Sequence, residues 1–163
     1  MMEITQAQLY ERLLAGKNLA GIDLTGLNLR FADLSQANLS YANLRGLDLY
    51  EVDFHGSNLT LANLSGARLC GAQLTKARLI GANVSDADLS GARLVGAVLI
   101  GANLTRANLS HAVLTGAILT GANLTFANLS DADLRNTNLT VANLSNAILN
   151  TTDFAGVTGL VAS

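Results

Sequence analysis

The chain contains no proline and no tryptophan, a single cysteine, and little charge. Each absence removes a class of protein. One Cys excludes an internal disulfide framework and fits a reducing compartment. Aspartate, glutamate, lysine and arginine make up 13% of the residues, about half the usual share, and the net charge is −2. That balance points neither to a nucleic-acid binder nor to a strongly acidic decoy. The longest run of apolar residues and glycine, Leu94–Ala102, is far short of the ~20 residues a membrane helix needs. Met1–Thr5 lacks the basic segment and apolar run of a secretory signal, so a cytoplasmic location is expected.

What is present is one repeat. From Leu19 to Phe154 every fifth residue is large and apolar; 25 of these 28 positions are Leu, and the others are Phe54, Val84 and Phe154. Two residues earlier the position is Ala in 20 of the 28 units. A five-residue step turns about 500° on an α-helix, which spirals the leucines around the axis. It cannot fit one long strand either, because strand side chains alternate with period two. The spacing fits a chain that runs in–out–in and then turns a corner over two outward residues. Four units close a square coil of 20 residues, which stacks on the next at about 4.8 Å. Taking every twentieth residue supports this: Asp23, Asn43, Asn63, Asn83, Asn103, Asn123, Asn143 form one column.

Units such as Ala32-Asp33-Leu34-Ser35-Gln36 and Ala122-Asn123-Leu124-Thr125-Phe126 resemble the A-(D/N)-L-X-X consensus of the pentapeptide repeat family, and the uninterrupted form is similar to its cyanobacterial members. The resemblance implies an all-β fold, the right-handed quadrilateral parallel β-helix, here with about seven coils. Residues 17–156 are the β-helix, 1–16 an N-terminal capping helix and 157–163 a C-terminal tail.

The helix is expected near residues 6–15. Thr5 and Gln8 form a capping box, Ile4 and Leu9 a staple, and Gly16 a left-handed stop. Leu9, Leu13 and Tyr10, Leu14 have i,i+4 apolar spacing. Gly occupies the second residue after the large apolar one in 13 of 28 units, which relieves any demand for positive φ. Non-Gly corners such as Tyr41, Arg106 and Phe126 imply a turn without that demand. Ile22, Leu27, Leu47 and Val52 replace the small inward residue early in the chain and predict a wider or cap-packed start. The polar inward residues Ser57, Thr137 and Thr152 should bond to nearby backbone.

Catalytic chemistry is not found. His55 and His111 lie nearly three coils apart and form neither a dyad nor a metal pair. Cys70 stacks between Tyr50 and Ser90, neither of which carries the adjacent positive charge that would activate it. Asp33 under Asp53 and Asp133 under Asp153 place like charges side by side, an arrangement that raises one pKa or holds a cation if not screened. Arg68 falls between Asp48 and Asp88, and Asp86, Arg106 and Phe126 stack in an order that predicts a salt bridge and a cation–π contact. The Asn-Leu-Ser/Thr strings match a glycosylation pattern but arise from the repeat. No catalytic residue, metal or cofactor is therefore expected, and the chain reads as a non-enzyme.

The expected task is protein–protein interaction as a scaffold with a protein partner, without nucleic acid or membrane. The candidate partner patch is Ile80, Val95, Val98, Ile100, Val113 and Ile118, six β-branched residues at outward positions of coils four to six. Phe154, Val157 and Leu160 are candidates for self-association, giving a monomer or weak homodimer through the C-terminal end. Two alternatives follow from other readings. Family members linked to quinolone resistance imply a DNA mimic acting on DNA gyrase or another topoisomerase. The regular Asn and hydroxyl face implies ice or surface binding.

Overall fold

The computed structural model describes residues 2–160. Parallel pairings join residues 20 apart along four ladders, for example Asp23–Asn43–Asn63, Asp48–Arg68–Asp88, Asp33–Asp53–Gln73 and Asn18–Asn38–Asn58. Four ladders make four faces, here numbered first to fourth in chain order from the one containing Asp23. Each face is one short strand, so only its central residue is fully paired. The apolar residue donates to the next coil, as Leu64 N to the Asn83 carbonyl at 2.7 Å, and the outward residue donates to the previous one, as Asn83 N to the Ala62 carbonyl at 2.9 Å. Inside, the Leu and Ala positions between Leu29 and Leu139 are almost all buried. Stability is therefore shared between neighbouring coils, as in other solenoids.

The corners differ from expectation. All 28 corner residues from Gly21 to Gly156 have positive φ, whether or not they are Gly; Tyr41, Arg106 and Phe126 lie at 61°, 57° and 61°. The reversal itself demands this. The turn closes by a bond such as Ala107 N to the Leu104 carbonyl (3.0 Å), while Arg106 N turns outward along the axis to the Thr125 carbonyl (3.0 Å). Both bonds need positive φ at the third turn residue, and they offset a left-handed cost of about 1–2 kcal/mol. Outward Asn and Asp side chains hold the other half of the corner. Asn103 Oδ1 accepts from the Thr105 N–H at 3.1 Å and from its hydroxyl at 2.6 Å, while Asn103 Nδ2 donates to Asn83 Oδ1 at 3.3 Å. The Asn-x-Ser/Thr string is thus a corner device.

At the start, β1 (Met2–Glu3) pairs in parallel with β2 (Ile22–Asp23), an edge not read from the sequence because two residues carry no period. Helix α1 (Gln6–Leu14) follows, with Thr5 and Gln8 in a reciprocal capping box. Gln6 lays its side-chain amide on the backbone of Asn28, donating to its carbonyl (3.2 Å) and accepting its N–H (3.1 Å). Leu9 is buried in the core and Leu13 partly so. Tyr10 and Leu14 do not share that face: one residue rotates a helix by about 100°, and both are exposed. Gly16 follows the C-cap at φ 116°.

At the far end, Thr158 pairs with Asn138, so the ladder continues past Gly156. Thr137 and Thr152 donate to the carbonyls of Leu114 (3.1 Å) and Leu129 (2.8 Å). Ser57 does not follow them: its buried Oγ has no partner. Serine lacks the methyl branch that fixes threonine χ1. Ser57→Ala is expected to raise unfolding free energy by about 1 kcal/mol, and Thr137→Ala to lower it by a similar amount. Urea denaturation checks both; a less stable Ser57→Ala protein means the hydroxyl is satisfied.

Candidate interaction face

The β-branched residues named above lie on two adjoining faces. Val98 and Ile118 are consecutive in the ladder of the fourth face, after Arg78. Ile80 and Ile100 stand on the corner that follows that face, and Val95 on the corner that precedes it. Val113 lies on the third face, between Arg93 and Asp133 in its ladder. Ile100 is 40% exposed and Ile118 36%; Ile80, Val95, Val98 and Val113 are half-buried.

Sequence reasoning missed Leu61. It is exposed on the corner next to Ile80, and its side chain lies over Gly81, where an added Cβ falls 2.8 Å from Leu61 Cδ2. The signal was available: a large apolar corner residue followed one coil later by Gly. Gly101, Gly116 and Gly121 have open space around the Cβ position, so these corners stay low. The backbone under the patch is fully engaged. Leu79 N reaches the Val98 carbonyl (2.7 Å), Val98 N the Ala77 carbonyl (2.9 Å), and Leu99 N the Ile118 carbonyl (2.7 Å). What this face leaves open to solvent is therefore side chain rather than free backbone groups.

The charged columns differ from the simple stacks. Asp33 does not share a cation with Asp53; Lys17 Nζ donates to it at 2.8 Å and, with the Ser35 hydroxyl, holds its pKa down to about 2. Asp133 is held well below the usual carboxylate range by Arg135 at 2.8 Å, then by the Arg135 N–H and Thr115. Opposite charge, not like charge, dominates both sites. Among the described residues Arg68 pairs only with Asp48 (3.5 Å), which it shares with Arg30 (2.6 Å); Asp88 is taken by Cys70, Ser90 and Asn108. Arg106 makes the expected pair with Asp86 (2.7 Å). That two-pronged grip holds the guanidinium, and the cation–π contacts are elsewhere: Arg30 over Phe31 at 5.5 Å and Tyr50 at 5.1 Å.

These lowered carboxylates fix a pH dependence. A pKa lower in the fold than in the open chain adds stability above the open-chain value near 3.8, lost as pH falls through the folded value. Unfolding midpoints in urea should therefore be flat from pH 7 to about 5 and drop between about pH 4 and 2. Asp33→Asn should flatten part of that drop; an unchanged profile refutes the assignment.

Cys70 is half-buried. Burial raises its thiol pKa, and so does donation to Asp88 at 3.0 Å, which leaves it unreactive rather than activated. His111 Nδ1 lies 3.9 Å from Asp131 in an exposed pair. Among the described residues no group of three His, Cys, Asp or Glu is placed to hold a metal ion, and no helix is long and apolar enough to cross a membrane.

At the C-terminal end Phe154 and Val157 are partly buried against the core and Leu160 is exposed. A hollow of about 520 Å³ opens there between Leu139, Val141, Leu144, Leu149 and Leu160; Phe154 and Val157 do not line it. Val161 lies outside the described residues. A second hollow of about 530 Å³, also missed, runs between α1 and the first coils, with Tyr10, Leu13, Leu14 and Phe31 along it.

Several solved structures share this design. A pentapeptide repeat protein from the Arabidopsis thaliana thylakoid lumen is 34% identical, covering 61% of this chain and 69% of its own, with a TM-score of 0.60. QnrB1, a plasmid-mediated fluoroquinolone resistance protein, is 17% identical over 96% of this chain and 88% of its own, with a TM-score of 0.53, a likeness of fold alone. HetL, involved in heterocyst differentiation regulation in the cyanobacterium Nostoc sp. strain PCC 7120, is 28% identical over 99% of this chain and 100% of its own, with a TM-score of 0.37. No curated protein matches. The family model described as pentapeptide repeats matches residues 4–40, 18–56, 28–66, 57–94, 85–121 and 117–156. With that match over nearly the whole repeat, and with four parallel ladders of 20-residue period wound as a quadrilateral β-helix of the right-handed kind, the chain belongs to the pentapeptide repeat family.

Proposed function

We propose that this protein is a non-catalytic interaction scaffold of a reducing, cytoplasmic compartment, and that the faces around Ile100 are where a partner protein docks. The observation that carries the reading is the cluster of exposed and half-buried aliphatic side chains on a surface whose backbone bonds are already used. Such a surface is rigid, so docking costs little ordering entropy. Exposed apolar patches of this kind mark contact sites on soluble proteins.

In the finer architecture proposed with it, seven coils are closed by α1 at one end, and the other end, around Leu160, supports weak pairing of two copies. A gyrase-directed DNA mimic ranks below this, because its defining acidic stripe is missing from a chain of net charge −2.

The test is the double change Val98→Asp with Ile100→Lys. Both side chains reach solvent, so far-UV circular dichroism should match the parent. Crosslinking capture read by mass spectrometry should lose partners seen with the parent. A folded variant that keeps every partner and the parental oligomeric state makes the patch a packing ladder only.

A further inference from the structure

The fourth face and the two corners that bound it comprise residues 35–41 and their equivalents every 20 residues, up to 155–160. None of the chain's twelve Asp and Glu residues lies on any of these segments. The acids sit on the other three faces, their corners, or the N-terminal segment. The cations are not excluded from the strip: Lys76, Arg78 and Arg135 lie on it. Lys17, Arg30, Arg68, Arg106 and Arg135 each have a carboxylate within salt-bridge reach. The other five make no ion pair among the described residues: Arg12 on α1, Arg45 on the corner after the first face, and three exposed cations close together, Lys76 and Arg78 on the acid-free strip and Arg93 beside it on the third face.

These three cations border the aliphatic patch. Arg78 precedes Val98 in its ladder and Arg93 precedes Val113, each one coil away, about 4.8 Å. The Lys76 stem passes over Gly96, with Cγ 3.9 Å from the Cβ position there. A band of unpaired positive charge thus runs along one side of a band of Val and Ile; the fourth face has no carboxylate to neutralise it, and on the third face the ladder places Asp53 and Asp133 two coils from Arg93 on either side.

We infer that this face recognises an acidic amphipathic helix of a partner protein, one that sets aliphatic side chains on Val98, Ile100 and Ile118 and carboxylates on Lys76, Arg78 and Arg93. The inference rests on the interaction reading above and specifies its partner. A helix is favoured over an added strand because the ladder bonds under the face are already made. The aliphatic band from Ile80, on the coil of Arg78, to Ile118 spans two coil intervals, about 10 Å, close to the ~11 Å of two helical turns. An apolar stripe at i, i+3, i+4, i+7 fits that length. Nucleic acid is disfavoured: residues 73–118 contain no Phe, Tyr or Trp for base stacking, and the aliphatic band would lie against phosphates. A membrane surface is disfavoured by the same lack of interfacial aromatics.

The test uses a displayed library of helical peptides with variable charge and apolar spacing, selected on the full chain. Three proteins are compared: parent, Lys76→Glu/Arg78→Glu/Arg93→Glu, and Val98→Asp/Ile100→Lys. Parent-selected peptides should be acidic with helical apolar spacing. They should bind the charge-reversed protein about tenfold or more weakly, lose affinity as salt rises, and fail on the second variant. Selected peptides that are neutral or basic, yet depend on Val98 and Ile100, overturn the acidic partner and leave the interaction reading standing. No selection, or selection indifferent to both variants, overturns both. Vesicles with 30% phosphatidylglycerol and a 20-base-pair DNA duplex are the control probes. Binding of either one that Arg78→Glu abolishes overturns the helix in favour of that surface.

Discussion

Phe54→Ala is expected to lower the free energy of unfolding by about 3–5 kcal/mol, read as a shift of the urea midpoint without loss of cooperativity. Phe54 is the largest fully buried side chain, and it takes a position that is Leu in nearly every other unit. It sits in the early coils, where Leu47 and Val52 also replace the usual Ala inside. Truncation there removes an aromatic ring from a wall of ladder-bonded strands that cannot close in. The strands above and below are fixed by bonds such as Phe54 N to the Gln73 carbonyl at 2.8 Å. A cavity persists where relaxation is blocked, and its cost adds to the lost transfer energy. Phe54→Leu, the family-like residue, should cost far less. Equal losses for Leu and Ala would mean that ring shape, not volume, is what the coil needs.

The coil and its core were legible because one short code repeats and every error in it would expose a leucine. Every large apolar residue of the repeat from Leu29 to Leu139 is buried as the in–out–in reading requires, and of the alanines two before them only Ala32 is partly open. Features governed by bonds rather than by periodicity were not legible. Side-chain chemistry at Tyr41 or Phe126 says nothing of the positive φ there, because the direction of the corner N–H sets it. Ser57 and Thr137 look alike in the code, yet only one finds a carbonyl. The column order of Asp48, Arg68 and Asp88 was read correctly, but of the two expected pairs only the one to Asp48 forms, shared there with Arg30, while Cys70, from the same neighbouring column as Arg30, bonds to Asp88. For the candidate face, the aliphatic residues stand out against an Asn, Ser and Thr background. The missing acids emerge only when the sequence is wound into 20-residue turns.

Leu9→Ala is expected to produce the second large effect, a loss of about 2–5 kcal/mol in cooperative unfolding together with concentration-dependent association. Leu9 lies 20 residues before Leu29, so α1 carries a side chain where the coil interior would otherwise end. It is 1% exposed, while Leu14 on the same helix is 90% exposed. Hence α1 is tied to the stack mainly by Leu9, by the partly buried Ile4 and Leu13, and by the Gln6 amide on Asn28. Loss of the leucine should free the helix and bare the first rung. That rung has parallel strand edges and leucines beneath them, the surface through which solenoids aggregate. Two measurements separate a cap from a simple packing residue. Hydrogen exchange should rise at Leu24 and Leu34, whose N–H groups bond to the next coil, but not at Leu104 or Leu124, since each coil feels mainly its neighbours. Light scattering should show association that Gln6→Ala alone, which removes two polar contacts and leaves Leu9 in place, produces only weakly. If exchange rises uniformly along the chain, Leu9 is an ordinary core residue and the end is closed by something other than α1.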